Sequence, residues 1–237
     1  MGMTIKQMRD QIRSVIDIDS TDISDTVLNN ILGQGFDTIA YSEKRWSFYE
    51  TLTTFTTTQG TKDYTLGTIG ASVTQGIREI IAMRTDDHIL EYIGNDLADF
   101  EYPLDSIPSG EPWEWSFWND TVRFYPSPDG AYTVHVRAIR NATSFGVGTS
   151  DATEPDIPAP FHAVLTTYGL SKAYLQQEDP LMAGQYMQQF QVELDNVARR
   201  YADMPAPQPI VANSRSSSRY LAGFGTLRYA NTGGVIW

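Results

Sequence analysis

The sequence predicts an α+β protein: a helical bundle formed by the N- and C-terminal helices, an inserted antiparallel β sandwich or barrel module, and an extended C-terminal arm. Apolar residues recur at three- and four-residue spacing in residues 1–45 and again in residues 154–203, which is the period of amphipathic helices. Between residues 46 and 153 the period becomes two, and β-branched and aromatic residues dominate. Residues 204–237 follow neither period, so we expect four parts with these boundaries.

The first two helices are predicted from their caps and their apolar stripes. Thr4 can cap the first helix, because Gln7 stands three residues later and completes a capping box. Ser24 begins a second helix, whose apolar residues again fall on one face. Two glycines within it, Gly33 and Gly35, indicate either a close contact between helices or a local kink.

The β module is predicted from four runs with a period of two and from a hairpin. The runs are residues 51–58, 77–83, 89–93 and 132–139, and a short helix is expected near Asn95 to Glu101.

The hairpin lies within residues 110–132 and has one apolar face. Along its first strand Trp113, Trp115 and Phe117 alternate, so we expect Trp113 and Trp115 to be buried and Trp118 to point to the opposite face. The alternative is a set of aromatic rings that stack on sugars or bases.

Two further helices follow a cluster of prolines. The first ends near Glu178 and carries an apolar stripe made of Phe161, Val164, Leu165, Tyr168 and Leu175. Asp179 and Pro180 then restart a helix, as its cap and its first residue. The stripe of this last helix consists of Ala183, Tyr186, Phe190, Leu194, Val197 and Tyr201.

Composition and charge separate the body of the chain from its last 34 residues. The net charge is −12 over 237 residues, but the last 34 hold three arginines and no acid, which leaves −15 on the rest. An acidic body argues against tight binding of nucleic acid, which requires Lys and Arg to neutralise phosphates. The chain has no cysteine and no apolar run long enough for a signal peptide or a membrane span, so we expect synthesis in the cytoplasm and no membrane contact.

The sequence contains no pattern typical of a catalytic, cofactor or metal site. The three histidines, His88, His135 and His162, stand far apart and outside any nucleophile or zinc motif. Four aspartates between residues 17 and 25 lack the glycine and glutamate of a calcium loop, and turns and helix caps explain them better. Nucleotide-binding glycine motifs are also absent. We therefore predict that the protein is not an enzyme.

Several short motifs resemble the head-to-tail adaptor (connector) proteins of tailed bacteriophages. The resemblance covers roughly residues 4–203 and rests on structural residues in the family's order. They are Trp46 and Phe48; Gly60, Tyr64 and Leu66; Gly110 and Pro112; Pro126, Pro128, Asp129 and Tyr132; and the run from Ile157 to His162.

The resemblance implies a structural virion protein at the head–tail junction, made in the host cytoplasm. Such a protein forms a homo-oligomeric ring, expected to be a dodecamer, that binds the portal protein and a downstream tail or nozzle protein and lets DNA pass without specific binding. The implied portal-binding or subunit-binding residues lie in the arm: Arg215, Arg219, Tyr220, Phe224, Arg228, Tyr229 and Trp237. The alternative is a carbohydrate-binding β module, or a glycoside hydrolase, of a phage tail or bacterial protein.

Overall fold

The computed structural model describes residues 2–42, 45–103 and 108–202, and it confirms the α+β class. Its helices are α1 (Ile5–Ile16), α2 (Asp25–Ala40), α3 (Leu66–Ile69), α4 (Asn95–Glu101), α5 (Pro160–Gln176) and α6 (Pro180–Ala202), with a 3-10 turn at Ser47–Tyr49. Its strands are β1 (Glu50–Thr56), β2 (Asp63–Thr65), β3 (Ile77–Arg84), β4 (Ile89–Tyr92), β5 (Ser109–Gly110), β6 (Glu114–Trp118), β7 (Thr121–Tyr125), β8 (Ser127–Pro128) and β9 (Thr133–Arg140).

The predicted helix caps are confirmed by their hydrogen bonds. The hydroxyl of Thr4 accepts from the backbone N–H of Gln7, whose side chain in turn accepts from the N–H of Thr4 at 2.9 Å. Ser24 caps α2, and the Asp179 carboxylate accepts from the N–H of Met182 at 3.0 Å at the start of α6. Each cap satisfies backbone donors that have no partner inside the helix.

Helix α5 lies at the centre of the helical part and packs against α1, α2 and α6. It is buried on nearly every side, so its apolar periodicity is weaker than that of the outer helices. The shared core extends from Ile5 and Leu28 to Phe161 and Phe190, so helices from both ends of the chain enclose it. Gly35 lies against the side chains of Leu165 and Tyr168, which decides the question of the α2 glycines in favour of close helix packing at this position.

The strands form one mixed seven-stranded sheet, ordered β1-β9-β3-β4-β6-β7-β2, and a small pair of β5 and β8. The predicted antiparallel sandwich or barrel is therefore wrong in two respects. Strands β4 and β6 pair in parallel, as do β5 and β8, and the main sheet is a single curled half-barrel. The parallel pair arises because α4 lies between β4 and β6 and returns the chain across the sheet, as connections between parallel strands require.

The concave side of the half-barrel holds a second hydrophobic core. Trp115, Val122, Phe124, Val134 and Val136 alternate along their strands and are buried there. The two edge strands approach each other at this core, with the rings of Phe55 on β1 and Tyr64 on β2 5.3 Å apart. Outside the sheet α4 covers β6 and β7, and the ring of Tyr102 stacks on Tyr125 at 4.7 Å.

Two residues predicted to be buried are exposed instead. Leu175 is 56% exposed, because it lies in the last turn of α5, beyond Ala173, the last residue of that helix that the core encloses. Trp113 is 38% exposed, because it precedes β6 and lies at the rim of the sheet, whereas Trp115 is buried as expected.

Candidate interaction surfaces

The three histidines lie in separate places, and each has a local hydrogen-bond partner. The buried His162 accepts from the N–H of Met3 at Nδ1 (2.7 Å) and donates from Nε2 to the Ile157 carbonyl (3.0 Å). His88 donates to the Pro112 carbonyl. Nε2 of His135, on β9, lies 2.8 Å from the Asp86 carboxylate. These contacts give each ring a structural role at its own position.

The aspartates of the α1–α2 connection act as turn and ion-pair partners. Asp19 accepts from the N–H and the hydroxyl of Thr21, both at 2.6 Å, and these bonds lower the pKa of Asp19. Asp25 accepts from Arg13 at 2.6 Å, which lowers the pKa of Asp25. No group of three or more potential metal-binding side chains occurs among the residues that the structure describes. The aspartates thus stabilise the connection through turns and caps.

The three tryptophans of the hairpin do not share one surface. Trp115 is buried against Tyr92, and their rings are 4.8 Å apart. Trp118 is 73% exposed at the far end of β6, and by the alternation of the strand it projects from the face opposite to Trp115 and Trp113. A flat aromatic platform requires neighbouring rings on one face, so this arrangement presents Trp118 as an isolated ring.

A cleft of about 440 Å³ lies where α3 meets β3 and the turn after β6. Its cation, Arg78, donates to the Ala40 carbonyl and lies over the ring of Tyr41. The cleft is open, has polar and apolar walls in similar measure, and is lined by Thr65, Leu66, Gly67, Ile77, Arg78, Asn119, Asp120, Thr121 and Asn141. These residues include no pair of carboxylates or nucleophile–base pair.

The turn between α5 and α6 exposes large apolar side chains. Leu175 and Leu181 are 56% and 71% exposed there. Beside them the rings of Tyr174 and Tyr186 are stacked at 5.3 Å with an angle of 12° between their planes. Exposed apolar side chains of this size commonly mark sites of protein association.

The sequence predicts the turn itself but not its exposed apolar side chains, because the helical period places Leu175 in the apolar stripe of α5. A signal was present: Leu181 falls outside the stripe that begins at Ala183, and an apolar residue outside a stripe is expected to face solvent. All seven predicted arm residues, from Arg215 to Trp237, lie outside the described residues.

Exposed aromatic and aliphatic side chains of this kind occur at surfaces that bind other proteins. The family model of the SU10 adaptor protein matches residues 3–212, nearly the whole chain. The chain belongs to this family, which confirms the resemblance to phage head-to-tail adaptors, a structural rather than enzymatic class. No curated protein matches it individually. Within the described ranges, none of the helices combines the length and apolarity that crossing a bilayer requires.

Proposed function

We propose that this protein is a head-to-tail adaptor that forms a homo-oligomeric ring, a dodecamer, beneath the portal and joins the capsid to the tail. The observation that carries the proposal is the family match over residues 3–212. In this proposal the helices of residues 1–45 and 154–203 pack side by side around the ring as a bundle. The β module of residues 46–153 projects from the bundle toward the downstream tail or nozzle protein. The complete ring occupies the head–tail junction of the virion.

The arm, residues 204–237, is proposed to bind the portal or a neighbouring subunit. It combines aromatic residues with arginines and has no acid. Aromatic residues and arginine are enriched where proteins bind each other. Its anchors are Arg215, Arg219, Tyr220, Phe224, Arg228, Tyr229 and Trp237. A free arm orders only when its rings enter pockets of a partner, so assembly would wait for the portal.

Deletion of residues 205–237 tests the proposal. We expect the truncated chain to have the same free energy of unfolding as the full chain, because both hydrophobic cores consist of residues before 203. We also expect it to lose binding to the portal. Native mass measurement of each chain, alone and mixed with portal protein, is the readout, and the full chain should give a multi-copy complex. Undiminished portal binding by the truncated chain would contradict portal binding by the arm, and a complex with a single copy would contradict the ring.

The alternative of a carbohydrate-binding module has one favourable observation, the exposed ring of Trp118. A sugar-binding platform is stronger when several rings lie on one face. Here Trp115 is buried, and Trp113 lies on the face of the sheet opposite to Trp118. Glycan binding that is lost on Trp118→Ala would support this alternative. The adaptor proposal expects no glycan binding by the full chain or by this variant.

A further inference from the structure

The turn between α5 and α6 is an ordered surface rather than a loose loop. Helices α5 and α6 form a helical hairpin, distinct from the β-hairpin of residues 110–132. Six residues at its turn are called the hairpin end: Tyr174, Leu175, Glu178, Asp179, Leu181 and Tyr186. Backbone hydrogen bonds close the end of α5, from the N–H of Gln177 to the Ala173 carbonyl and from that of Asp179 to the Tyr174 carbonyl. Because Asp179 also caps α6, the backbone that carries the exposed leucines is already ordered, so binding a partner costs little further backbone entropy.

Acidic side chains from two connections gather at the same end of the molecule. Helix α1 runs parallel to α5, because Met3 bonds to His162 at one end and Ile12 lies against Gly169 further along. The α1–α2 connection, which carries Asp17, Asp19 and Asp22, therefore lies at the same end of α5 as Glu178 and Asp179.

Among the described residues, the cationic side chains of Arg13 and Lys172 also lie toward this end, and each contacts a residue of the fold. Arg13 pairs with Asp25 at 2.6 Å, and the Lys172 ammonium lies 5.4 Å from the ring of Tyr168. The result is an apolar surface with an acidic rim, which favours a partner that is apolar and basic.

We propose that the hairpin end binds the C-terminal arm, residues 204–237, of a neighbouring copy of this chain. The inference rests on the proposed function, in which the arm is a partner-binding segment. The arm supplies the complementary chemistry, because its three arginines and its aromatic residues stand without any acid. Arginine and aromatic anchors are the residues that contribute most to protein interfaces.

The position of the arm favours a neighbouring copy over its own hairpin end. Helix α6 has 23 residues, so its end lies about 34 Å from the hairpin end. Pro205, Pro207 and Pro209 follow that end, and proline-rich segments are extended and stiff. A stiff segment at this point favours a partner beyond the end of α6 over a return along the same helix.

The absence of cysteine allows a specific cross-linking test in the full chain. One tagged copy carries Ala222→Cys, between the anchors Tyr220 and Phe224, and a second copy carries Gly184→Cys. Gly184 lies one turn after Leu181, and a side chain there meets no atom within 4 Å. The copies are mixed with and without portal protein under mild oxidation. We expect a disulfide between the two copies, because docking raises the effective concentration of the thiols.

Gly94→Cys is the matched control, since Gly94 is exposed and equally free of neighbours. We expect the Gly184→Cys copy to cross-link about tenfold more than the Gly94→Cys copy. Adding Leu181→Asp should reduce the cross-link at least about fivefold, whereas Leu52→Asp, at a leucine of 74% exposure on β1, should not. Raising the salt concentration to about 1 M should also reduce the cross-linking, because salt screens the attraction between the acidic side chains and the arginines of the arm.

Equal cross-linking at Gly94, or none with or without portal, would overturn the inference. So would a double variant, Gly184→Cys with Ala222→Cys, that closes its disulfide within one copy at high dilution. These failures are distinct from failure of the proposed function. If the truncated chain loses portal binding and no cross-link forms, the arm binds elsewhere and only this inference falls. If truncation leaves portal binding intact, portal binding by the arm falls, whereas a cross-link between copies would still support docking on a neighbouring copy.

Discussion

Arg9 shows how a single charged side chain joins three parts of the chain. It is 4% exposed, and its guanidinium donates to Asn29 on α2 at 3.1 Å and to Asp151 at 2.6 Å, with Asp25 at 3.7 Å. Asp151 lies in the segment before α5, so its bond to Arg9 connects this segment to the first two helices. Helical periodicity alone places Arg9 next to the apolar stripe, and a charge there is normally expected in solvent.

Arg9→Ala should destabilise the fold strongly. Removing the guanidinium leaves the Asn29 side chain and the Asp151 carboxylate without this donor and leaves a space inside the fold, whereas Asp25 keeps its bond to Arg13. We expect a loss of about 2 to 3 kcal/mol in the free energy of unfolding. Urea unfolding followed by circular dichroism measures it. Arg137→Ala, at an exposed arginine of β9, is the control and should change stability by less than about 0.5 kcal/mol. Equal effects of the two substitutions would contradict the structural role of Arg9.

Asp156 connects the sheet to the segment before α5. Both Nη atoms of Arg140 donate to it, at 2.6 and 2.9 Å, and Thr143 donates through its N–H and its hydroxyl. Burial acts to raise the pKa of Asp156, but these bonds outweigh it and hold the pKa below its ordinary value of 3.8. The charged form is therefore the one that the folded protein stabilises.

Asp156→Asn should destabilise the protein in a pH-dependent way. Because the folded pKa is lowered, the contribution of the carboxylate is fully present above the unfolded pKa and is lost as the pH falls through the folded value. We expect a deficit of about 2 kcal/mol at neutral pH that shrinks below a pH of about 4. Denaturation over this pH range measures it, with the exposed Asp99→Asn as control. A deficit that does not depend on pH would refute the explanation.

At the scale of elements, glycine positions show where helices touch. Gly35 on α2 meets α5, and an added Cβ would lie 2.5 Å from Cδ1 of Tyr168 and 2.8 Å from Cδ1 of Leu165. Gly184 on α6 has open space around it. Helix propensity favours alanine over glycine at both positions, so only packing distinguishes them.

Alanine at these two positions should therefore have opposite effects. Gly35→Ala should lower the free energy of unfolding by about 1 to 3 kcal/mol through overpacking. Gly184→Ala should raise it by up to about 1 kcal/mol through helix propensity. Thermal and urea unfolding of both variants measures the difference. A stabilising Gly35→Ala would show that α2 and α5 are not closely packed at this point.

The elements themselves were largely predictable, and their pairing was not. The caps of α1, α2 and α6 and the short helix α4 were predicted from residues within a few positions of each other. Strand β4 was also located correctly, but nothing in its sequence indicated a parallel partner. Pairing depends on where α4 returns the chain, which is a long-range property.

At the scale of the whole molecule, the charge of the chain bears on the proposed DNA channel. The body carries a net charge of −15 before residue 204. A ring lined by carboxylates would repel DNA phosphates and let the genome slide without adhesion.

Neutralising the acids that face the channel should therefore slow genome exit without blocking ring assembly. Replacing channel-facing carboxylates by amides removes the repulsion but keeps the shape of the side chains. Ejection rates of assembled virions measure the effect, and carboxylates replaced on the outer surface of the ring serve as controls. Ejection at an unchanged rate would remove the channel role of these acids.

Local sequence by itself determined the five longer helices, the caps of α1, α2 and α6, the longer strands and the resemblance to the adaptor family, because each depends on neighbouring residues or short motifs. The short elements α3, β2, β5 and β8 were not predicted. Tertiary structure alone decided the curled mixed sheet, the burial of Arg9, and the exposure of Leu175 and Trp113. These features depend on which distant segments meet, and the free energy of burial belongs to that contact rather than to either segment alone.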